Sequence, residues 1–299
     1  MPKVSQIALL CKISGNVNAD EVIGQRITLK RFYTSDGEVK PFISARAVKY
    51  AIRQALFQKG LPIDPFQLTE KKPQRLIDSG DPVKYADNDL FGFMAAEQRE
   101  EIARRRQAPI SLSYCRALRN TAIKAEFALR APRPQGTSGN PLPFEVEVAE
   151  WIGRLDCLIY DYIGLYQGTE SQDAKAGQPF ISDDERKNRL QSFLEVFLTP
   201  SYVLPRRTNS LVVPEYIALL ITLSKQGPWP IYQYLDYKID GAKPVVDIAL
   251  INKLLERNFQ VDHLWIIDYM DAVPQQLKFR VSAEKLGDII NKVTEFMIG

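Results

Sequence analysis

The sequence predicts an α+β fold in which helices pack on one face of a sheet. Extended and helical patterns alternate irregularly along the 299 residues. Hairpins and long excursions separate these patterns, and no internal repeat of solenoid length occurs. We therefore expect one core with two protruding insertions, and neither two domains nor a repeat array.

The first 60 residues predict a strand, a hairpin and a helix. Residues 3–13 form an extended apolar run, and residues 25–43 form two extended runs around the turn Ser35-Asp36-Gly37. Ser44 is a favourable N-cap, so a helix begins after it. The helix's apolar residues recur three or four positions apart, which predicts a core-facing stripe of Val48, Ala51, Ile52, Ala55 and Leu56.

A second stripe of this helix carries Arg46, Lys49, Tyr50 and Arg53, opposite the apolar stripe. Most charged stripes are solvated faces, but a solvated face normally mixes both signs, and this one has no acid. Cations neutralise phosphates and aromatic rings stack on bases, so the set favours single-stranded nucleic acid. The alternatives are a merely solvated face and an acidic protein partner. The preceding hairpin adds four residues of the same kinds: Lys30, Arg31, Phe32 and Tyr33.

The middle of the chain predicts an insertion followed by strands. Residues 62–107 contain scattered prolines and mixed charge, and end in a predicted helix over 95–107. A strand is predicted at 108–118. Another begins near residue 144, where Val146 alternates with Glu145 and Glu147 as in a half-buried strand. The Pro- and Gly-rich residues 130–143 predict a loop or a hairpin tip.

The C-terminal part returns to regular elements. Ser182 and Glu185 form a capping-box pattern that opens an amphipathic helix. A strongly apolar run follows at 211–223. We expect a helix near 246–257, strands near 261–268 and 276–282, and a last helix from about Ala283.

Composition excludes several classes of protein. No run of 18 apolar residues and no basic-then-apolar leader occurs, which predicts a cytoplasmic protein with no membrane partner. Cys11, Cys115 and Cys157 lie far apart, as reduced core residues do. His263 is the single histidine and is expected to be structural. Phosphate-binding and nucleophile-elbow motifs do not occur, so the sequence predicts no cofactor and no metal.

The net charge of +3 is unevenly distributed. Residues 26–59 carry eight Lys or Arg against two acids, and residues 99–133 carry nine against three, so each window is +6. The rest of the chain totals −9. Such asymmetry is expected when particular elements, and not the whole surface, bind a polyanion.

The N-terminal segment SGNVNADEVIGQRITLKRFYTSDGEVKPFISARAVKYAIRQAL, residues 14–56, resembles the signature of the Cas-seven family of CRISPR-associated proteins in its DevR branch. ADNDLFGFM, followed by RRRQAPISLS, resembles a second family block, and RRTNSLVVPEYIALLI a third. Together the blocks cover about the first three quarters of the chain. The first block is the most specific.

The resemblance implies an α+β fold with an RRM-like (ferredoxin-like) palm, a helical finger insertion and a β-hairpin thumb. On this sequence it implies one domain over 1–299. The palm would comprise 1–59, 108–123 and 149–299, the finger about 60–107, and the thumb about 124–148. The aromatic motif that RRM domains use for base stacking is absent, so stacking on the sheet face is not expected.

The resemblance further implies a non-catalytic backbone subunit of a type I (I-B-like) Cascade. Copies of the chain would assemble head to tail along a CRISPR guide RNA, in a helical filament with other Cascade subunits. The thumb would flip a guide nucleotide out at regular intervals, and the guide bases would pair with target DNA. One alternative is a type III-like subunit that cleaves target RNA in a metal-dependent reaction, with Asp20 or Asp36 as candidate. A stand-alone single-strand RNA-binding protein is the other.

The predicted RNA-binding residues follow from the charge pattern and the resemblance. Arg46, Lys49 and Arg53 are the first choice for guide phosphates, with Lys30 and Arg31 next. An Asx turn is the favoured alternative for Asn18. The full predicted set is Asn18, Lys30, Arg31, Ser44, Arg46, Lys49, Tyr50, Arg53, Arg206, Arg207 and Asn209.

Two further charged groups have structural explanations. Arg104, Arg105 and Arg106 are expected at the end of a finger helix, where cations complement the helix dipole. Contact with target DNA or a neighbouring subunit is the alternative. Asp87 and Asp89 are a weak signal for a metal pair, so we favour helix capping and docking of the finger. No catalytic residue is predicted.

Overall fold

The computed structural model describes residues 1–68, 76–95, 104–132, 136, 139–171, 173–205 and 211–299. No helix within these ranges combines the length and apolarity needed to cross a membrane. The helices are α1 (Ala45–Gln58), α2 (Ala86–Phe91), α3 (Asp183–Leu198), α4 (Ile248–Glu256) and α5 (Leu286–Ile298), with 3₁₀ turns at Tyr232–Tyr234 and Ala283–Lys285.

The strands of the described chain vary from two to nineteen residues in length. In chain order they are β1 (Val4–Gly15), β2 (Ala19–Ile23), β3 (Arg26–Leu29), β4 (Arg31–Tyr33), β5 (Val39–Ile43), β6 (Gln67–Leu68), β7 (Leu76–Ile77), β8 (Phe93–Ala95), β9 (Arg104–Arg106), β10 (Ile110–Leu112), β11 (Cys115–Ala117), β12 (Lys124–Arg130), β13 (Leu142–Tyr160), β14 (Glu215–Ser224), β15 (Tyr237–Asp240), β16 (Lys243–Val246), β17 (His263–Asp268) and β18 (Arg280–Ser282).

One large mixed sheet organises the chain. Its main path runs β18-β17-β14-β1-β13-β11-β5-β4, and β10, β12 and β3 pair with other parts of β13. Most neighbours are antiparallel, whereas β17–β18 and β13–β3 are parallel. Strand β1 is central, and its residues Val4 to Cys11 are buried throughout. The prediction of a sheet-centred fold that mixes strands with a few helices is therefore confirmed.

Helices α1, α3 and α5 cover one face of this sheet. Ile7, Leu9 and Ile13 of β1 point into the same core as the apolar stripe predicted for α1. The N-caps are also as predicted. The Ser44 hydroxyl accepts from the Ala47 N–H at 3.3 Å, and the Ser182 hydroxyl accepts from the Glu185 N–H at 3.2 Å.

The opposite face of the sheet is covered as well, across about half of its width. Ala8 and Leu10 of β1 form a second core with Leu235, Ile251 and other residues of the segment that contains α4. The expectation of helices on one face only is therefore wrong. The cause lies in β1. Successive residues of a strand point to opposite faces of the sheet, and β1 is apolar on both sides, so both faces require cover.

The predicted hairpin over 25–43 is divided into two units. Strands β4 and β5 pair around the turn at Ser35-Asp36-Gly37, but β3 pairs with β2 and β13. A buried carboxylate explains the division. Glu147 accepts from the Leu29 N–H at 2.9 Å and also binds the Arg31 guanidinium, which ties the junction of β3 and β4 to β13.

Strand β12 and the first part of β13 form an antiparallel hairpin. Its register runs from Lys124 opposite Val148 to Arg130 opposite Leu142. The hairpin lies within the range 124–148 that the resemblance assigns to a thumb, and that assignment remains a prediction. The parallel pairing of Arg26 and Ile27 with Glu145 and Val146 places β3 beside it.

The described part of the predicted finger differs from expectation. It contains one six-residue helix, α2, and the two-stranded sheets β6–β7 and β8–β9. The helix predicted over 95–107 is wrong for its described residues, because Ala95 pairs with Arg104 in β8–β9. Tertiary ion pairs override the local helical pattern, since this strand places the buried Arg106 against Asp89 and Glu170.

Candidate nucleic-acid interface

The junction of β5 and α1 brings several predicted residues together. The Asn18 side-chain amide donates to the Phe42 carbonyl at 3.5 Å, and the Phe42 N–H donates to the Lys30 carbonyl at 3.1 Å. Ser44 follows two residues later, and Arg46 is exposed in the first turn of α1. Asn18, Lys30, Ser44 and Arg46 therefore lie around one end of β5, although 28 positions separate the first from the last.

Asn18 has a defined structural role at this junction. Its φ is +53°, a left-handed conformation that Asn tolerates better than most residues. Its N–H donates to the Pro205 carbonyl at 3.0 Å. The Leu204 N–H donates to the Val212 carbonyl at 2.9 Å, so the chain before residue 206 and after residue 210 meets close to Asn18. The predicted residues Arg206, Arg207 and Asn209 lie outside the described residues.

Two cations of the hairpin are already engaged with acids. The Lys30 ammonium lies 3.7 Å from an Asp20 oxygen, and both side chains remain partly exposed. Arg31 binds the largely buried Glu147 and also donates to the Leu29 carbonyl at 3.2 Å. Arg31 therefore stabilises the junction of β3, β4 and β13. Lys30 retains more freedom to meet a phosphate.

The charged stripe of α1 divides into a free end and a docked end. Arg46 is exposed, and the Tyr50 side chain is 56% exposed. Arg53, by contrast, donates to Asp87 at 2.9 Å, and its guanidinium lies 5.1 Å from the centre of the Phe91 ring. The Lys49 ammonium lies 5.4 Å from the same ring. Residues of α2 thus cover part of the stripe that the helical pattern placed in solvent.

Burial changes the ionisation of this docked end. Desolvation, with the Arg53 charge as a lesser cause, lowers the pKa of the Lys49 ammonium. Desolvation also raises the pKa of Asp87, against the opposing effects of the Asp64 N–H and Arg53. Both shifts favour the neutral forms of Lys49 and Asp87.

Asp87 and Asp89 are buried, like every residue of α2, and they dock this helix, as favoured from the sequence. Asp89 accepts from Arg106 at 2.6 Å, from Arg189 at 3.1 Å and from the Gly164 N–H at 3.0 Å. Arg106 also donates to Glu170 at 2.8 Å, so it does not face a ligand. Across the described ranges, no group of three or more His, Cys, Asp or Glu side chains could hold a metal ion.

The three cysteines lie in the core, as the sequence predicts. Cys11 and Cys115 are buried free thiols with sulfur atoms 3.7 Å apart, and Cys157 is also buried and free. The His263 ring is exposed and stacks on Trp265 with centroids 5.2 Å apart. Asp36 accepts from the Thr34 hydroxyl in the β4–β5 turn, which lowers the pKa of this exposed carboxyl.

Sequence reasoning missed the buried polar partners. The alternating pattern in β13 places Glu147 on the polar side of the strand, where exposure is expected. Glu147 is nevertheless only 7% exposed and binds Leu29 and Arg31. Arg189 lies within the amphipathic helix α3 but is buried against Asp89. Local patterns contain no signal for either residue, because the partners are about 100 or more positions away in sequence.

Comparisons with known proteins agree with the fold. Two chains of solved structures, described as "CRISPR RNA-guided surveillance complex, pre-nicking" and "CRISPR RNA-guided surveillance complex", superpose with TM-scores of 0.61 and 0.59. Identity is 12% and 13%, and each match covers 98% of this chain, with 99% and 98% of the respective matched chains. Likeness at this level of identity shows a shared fold.

No match was found among curated proteins. A family model does match, over residues 14–238, and its description is "CRISPR-associated negative auto-regulator DevR/Csa2". That range includes β2 to β14 and the β5–α1 junction, but only the last two residues of β1. On this match the chain belongs to the DevR/Csa2 family of CRISPR-associated proteins.

Proposed function

We propose that this protein is a non-catalytic, guide-RNA-binding backbone subunit of a type I (I-B-like) Cascade, located in the cytoplasm. The observation that carries the proposal is the β5–α1 junction. There Asn18, Lys30, Ser44 and Arg46 surround one strand end, in a family member whose fold is shared with chains of RNA-guided surveillance complexes. An exposed cation beside a helix N-terminus suits a phosphate, because both offer positive charge.

Within this function the fold divides into a palm, a finger and a thumb. The RRM-like palm is the sheet around β1, β13 and β14 with its helices. The finger is the region of about 60–107, and Arg53, Lys49 and Phe91 join it to α1. The thumb is the β12–β13 hairpin. The guide would run along the β5–α1 junction between finger and thumb.

Copies of the chain would assemble head to tail along the guide in a helical filament with other Cascade subunits. The hairpin supports this proposal, because Phe127, Leu129 and Leu142 on it are each more than half exposed. Phe127 and Leu129 lie on one face of the hairpin and Leu142 on the other, and such exposed apolar side chains favour contacts with other molecules. The guide bases would then be presented to target DNA, and base pairing would supply the sequence specificity.

We assign no catalytic residue. Asp20 lies beside Lys30, and Asp36 lies at the tip of a different hairpin. A type III-like RNA cleavage would need metal-bound carboxylates. Regularly spaced cleavage of a bound RNA target that requires a divalent metal and disappears in Asp20→Ala would contradict our assignment.

The deciding experiment is to purify the protein from cells that express it with a CRISPR array and to sequence the nucleic acid that co-purifies. We expect RNA of defined length that contains repeat and spacer sequences. Heterogeneous cellular RNA would support a stand-alone single-strand binder instead. Absence of any nucleic acid would contradict the proposal.

A further inference from the structure

One half of the sheet face opposite α1, α3 and α5 carries an aromatic cluster, formed by Phe32, Phe42 and Tyr114. In β5, Pro41 and Ile43 are buried toward the helices, so Lys40 and Phe42 point to the other side. Phe32 pairs directly with Lys40 in β4–β5 and shares that side. Tyr114 joins the cluster from the connection between β10 and β11.

The three rings are packed and accessible. Phe32 and Phe42 stack with centroids 4.1 Å apart and planes at 20°. The Tyr114 ring meets both edge-on, at 5.9 Å from Phe32 and 5.4 Å from Phe42. Even so, Phe32 is 39% exposed and Tyr114 is 51% exposed. The cluster therefore presents ring surface to solvent while its members hold one another in place.

The cover on this face of the sheet reaches β13. Tyr232 donates to the Cys157 carbonyl at 3.1 Å, and Arg154 donates to the Leu235 carbonyl at 3.4 Å. Beyond β13 the path continues through β11 to β5 and β4. Arg116 of β11 is exposed, and it stands directly opposite Phe42 in the β11–β5 pair. The aromatic cluster and Arg116 thus form one surface next to the covered half.

Charge on this surface favours an anionic, base-bearing ligand. Among the residues that the structure describes, Arg116 forms no ion pair. Lys40 is paired with Glu38 at 2.5 Å, and the nearby Asp156 is paired with Arg154 at 2.9 Å. Arg116 lies close enough to Asp156 for its charge to favour the ionised carboxylate, but that carboxylate is already paired with Arg154. A guanidinium without an ion pair of its own beside exposed rings matches a nucleotide, which offers a phosphate to the first and a base to the second.

The surface is also continuous with the proposed RNA site. Phe42 accepts from Asn18 through its carbonyl and donates to Lys30 through its N–H. Ser44, the N-cap of α1, is two residues further along the chain. One strand thus carries a stacking ring and leads directly into the phosphate-binding candidates.

We propose that Phe32, Phe42 and Tyr114 form a base-stacking site for single-stranded RNA, with Arg116 as its phosphate contact. This inference rests on the proposed function, because it requires that the protein binds RNA. This proposal departs from the expectation of no stacking on the sheet face, which depends on the absence of a linear motif. The three rings come from β4, β5 and the β10–β11 connection, which no linear motif joins.

The test compares two probes that share a phosphate backbone: a short oligouridylate and its abasic counterpart. In the variant Phe32→Leu with Tyr114→Leu, both positions keep a large apolar side chain and lose the ring. We expect affinity for the oligouridylate to fall roughly 5- to 150-fold, the range for one lost stacking contact. Affinity for the abasic probe and the salt slope of binding should remain as in the wild type, since no phosphate contact changes.

The controls separate this inference from the function on which it rests. Phe57→Leu changes an exposed aromatic residue at the end of α1 and should leave both affinities unchanged. Phe32→Trp with Tyr114→Phe should retain wild-type affinity, because stacking surface is kept. If the leucine variant binds the oligouridylate as tightly as the wild type, the stacking site is refuted while RNA binding stands. If the wild type binds neither probe nor guide RNA, the proposed function itself fails.

Discussion

Arg53 of α1 donates to Asp87 of α2 at 2.9 Å, and the Asp87 side chain is 1% exposed. The pair joins a helix expected to bind RNA to α2 of the insertion that follows it. Arg53 therefore has a structural role, although the helical pattern alone places its side chain in solvent. Substitutions at different positions of this stripe of α1 should therefore affect protein stability and RNA binding separately.

Arg53→Ala should destabilise the protein by about 3 kcal/mol, because it leaves a buried carboxylate without its cation. Arg46→Ala, on the exposed first turn of the same helix, should change stability by less than about 0.5 kcal/mol. Urea denaturation of the two variants measures both effects. Equal stability losses would show that the Arg53–Asp87 pair does not hold the insertion.

Asp89→Asn should destabilise the protein more than Arg53→Ala does. The carboxylate binds Arg106 and Arg189, and all three side chains are at most 2% exposed. Loss of its charge leaves two buried guanidinium groups undercompensated, at an expected cost of about 3–5 kcal/mol. The matched control is Asp183→Asn, since Asp183 pairs with Arg186 but is 69% exposed, which should cost less than about 1 kcal/mol. Similar unfolding midpoints for the two variants would contradict this prediction.

Lys49 should report RNA binding through its own titration. Burial lowers its pKa in the free protein, so its ammonium should lose a proton at a lower pH than an exposed lysine does. A bound phosphate favours the ammonium and should raise the pKa again. NMR of ¹³C-methylated lysines, with Lys49→Arg to assign the signal, measures both values. A pKa that RNA leaves unchanged would exclude a phosphate contact at Lys49.

Arg46→Ala combined with Lys49→Ala should weaken RNA binding by a similar factor for all sequences. Each lost phosphate contact should reduce the slope of log affinity against log salt by about 0.7 for single strands. Fluorescence anisotropy at several salt concentrations gives the slope. Arg257→Ala, an exposed cation at the end of α4, is the control and should have no effect. Unchanged affinity and slope in the double variant would show that α1 does not bind the RNA.

The hairpin should be required for assembly and not for folding. Phe127→Ser with Leu142→Ser removes two exposed apolar side chains, so the unfolding free energy should change by less than about 1 kcal/mol. Sedimentation of the protein on a long guide RNA should then show fewer copies bound per strand. Full occupancy in the variant would rule out these residues as the contact between copies.

The sequence alone determined the elements whose cause is local. The apolar stripe and Ser44 cap of α1, the Ser182 cap of α3, and strand β1 depend on side chains within a few positions of one another. Their periodicity and capping chemistry are visible in any short window. The family assignment followed from blocks of the same local kind, chiefly residues 14–56.

Tertiary structure alone decided what depends on distant partners. Glu147 is buried because Leu29 and Arg31 come to it across more than 110 positions, and Arg106 lies in a strand because Asp89 and Glu170 enclose it. The aromatic cluster likewise joins Phe42 to Tyr114 across 72 positions. A buried charge needs a compensating partner, and the strand pairing decides which side chains share a face. Both the partners and the pairing exist only once the sheet has formed.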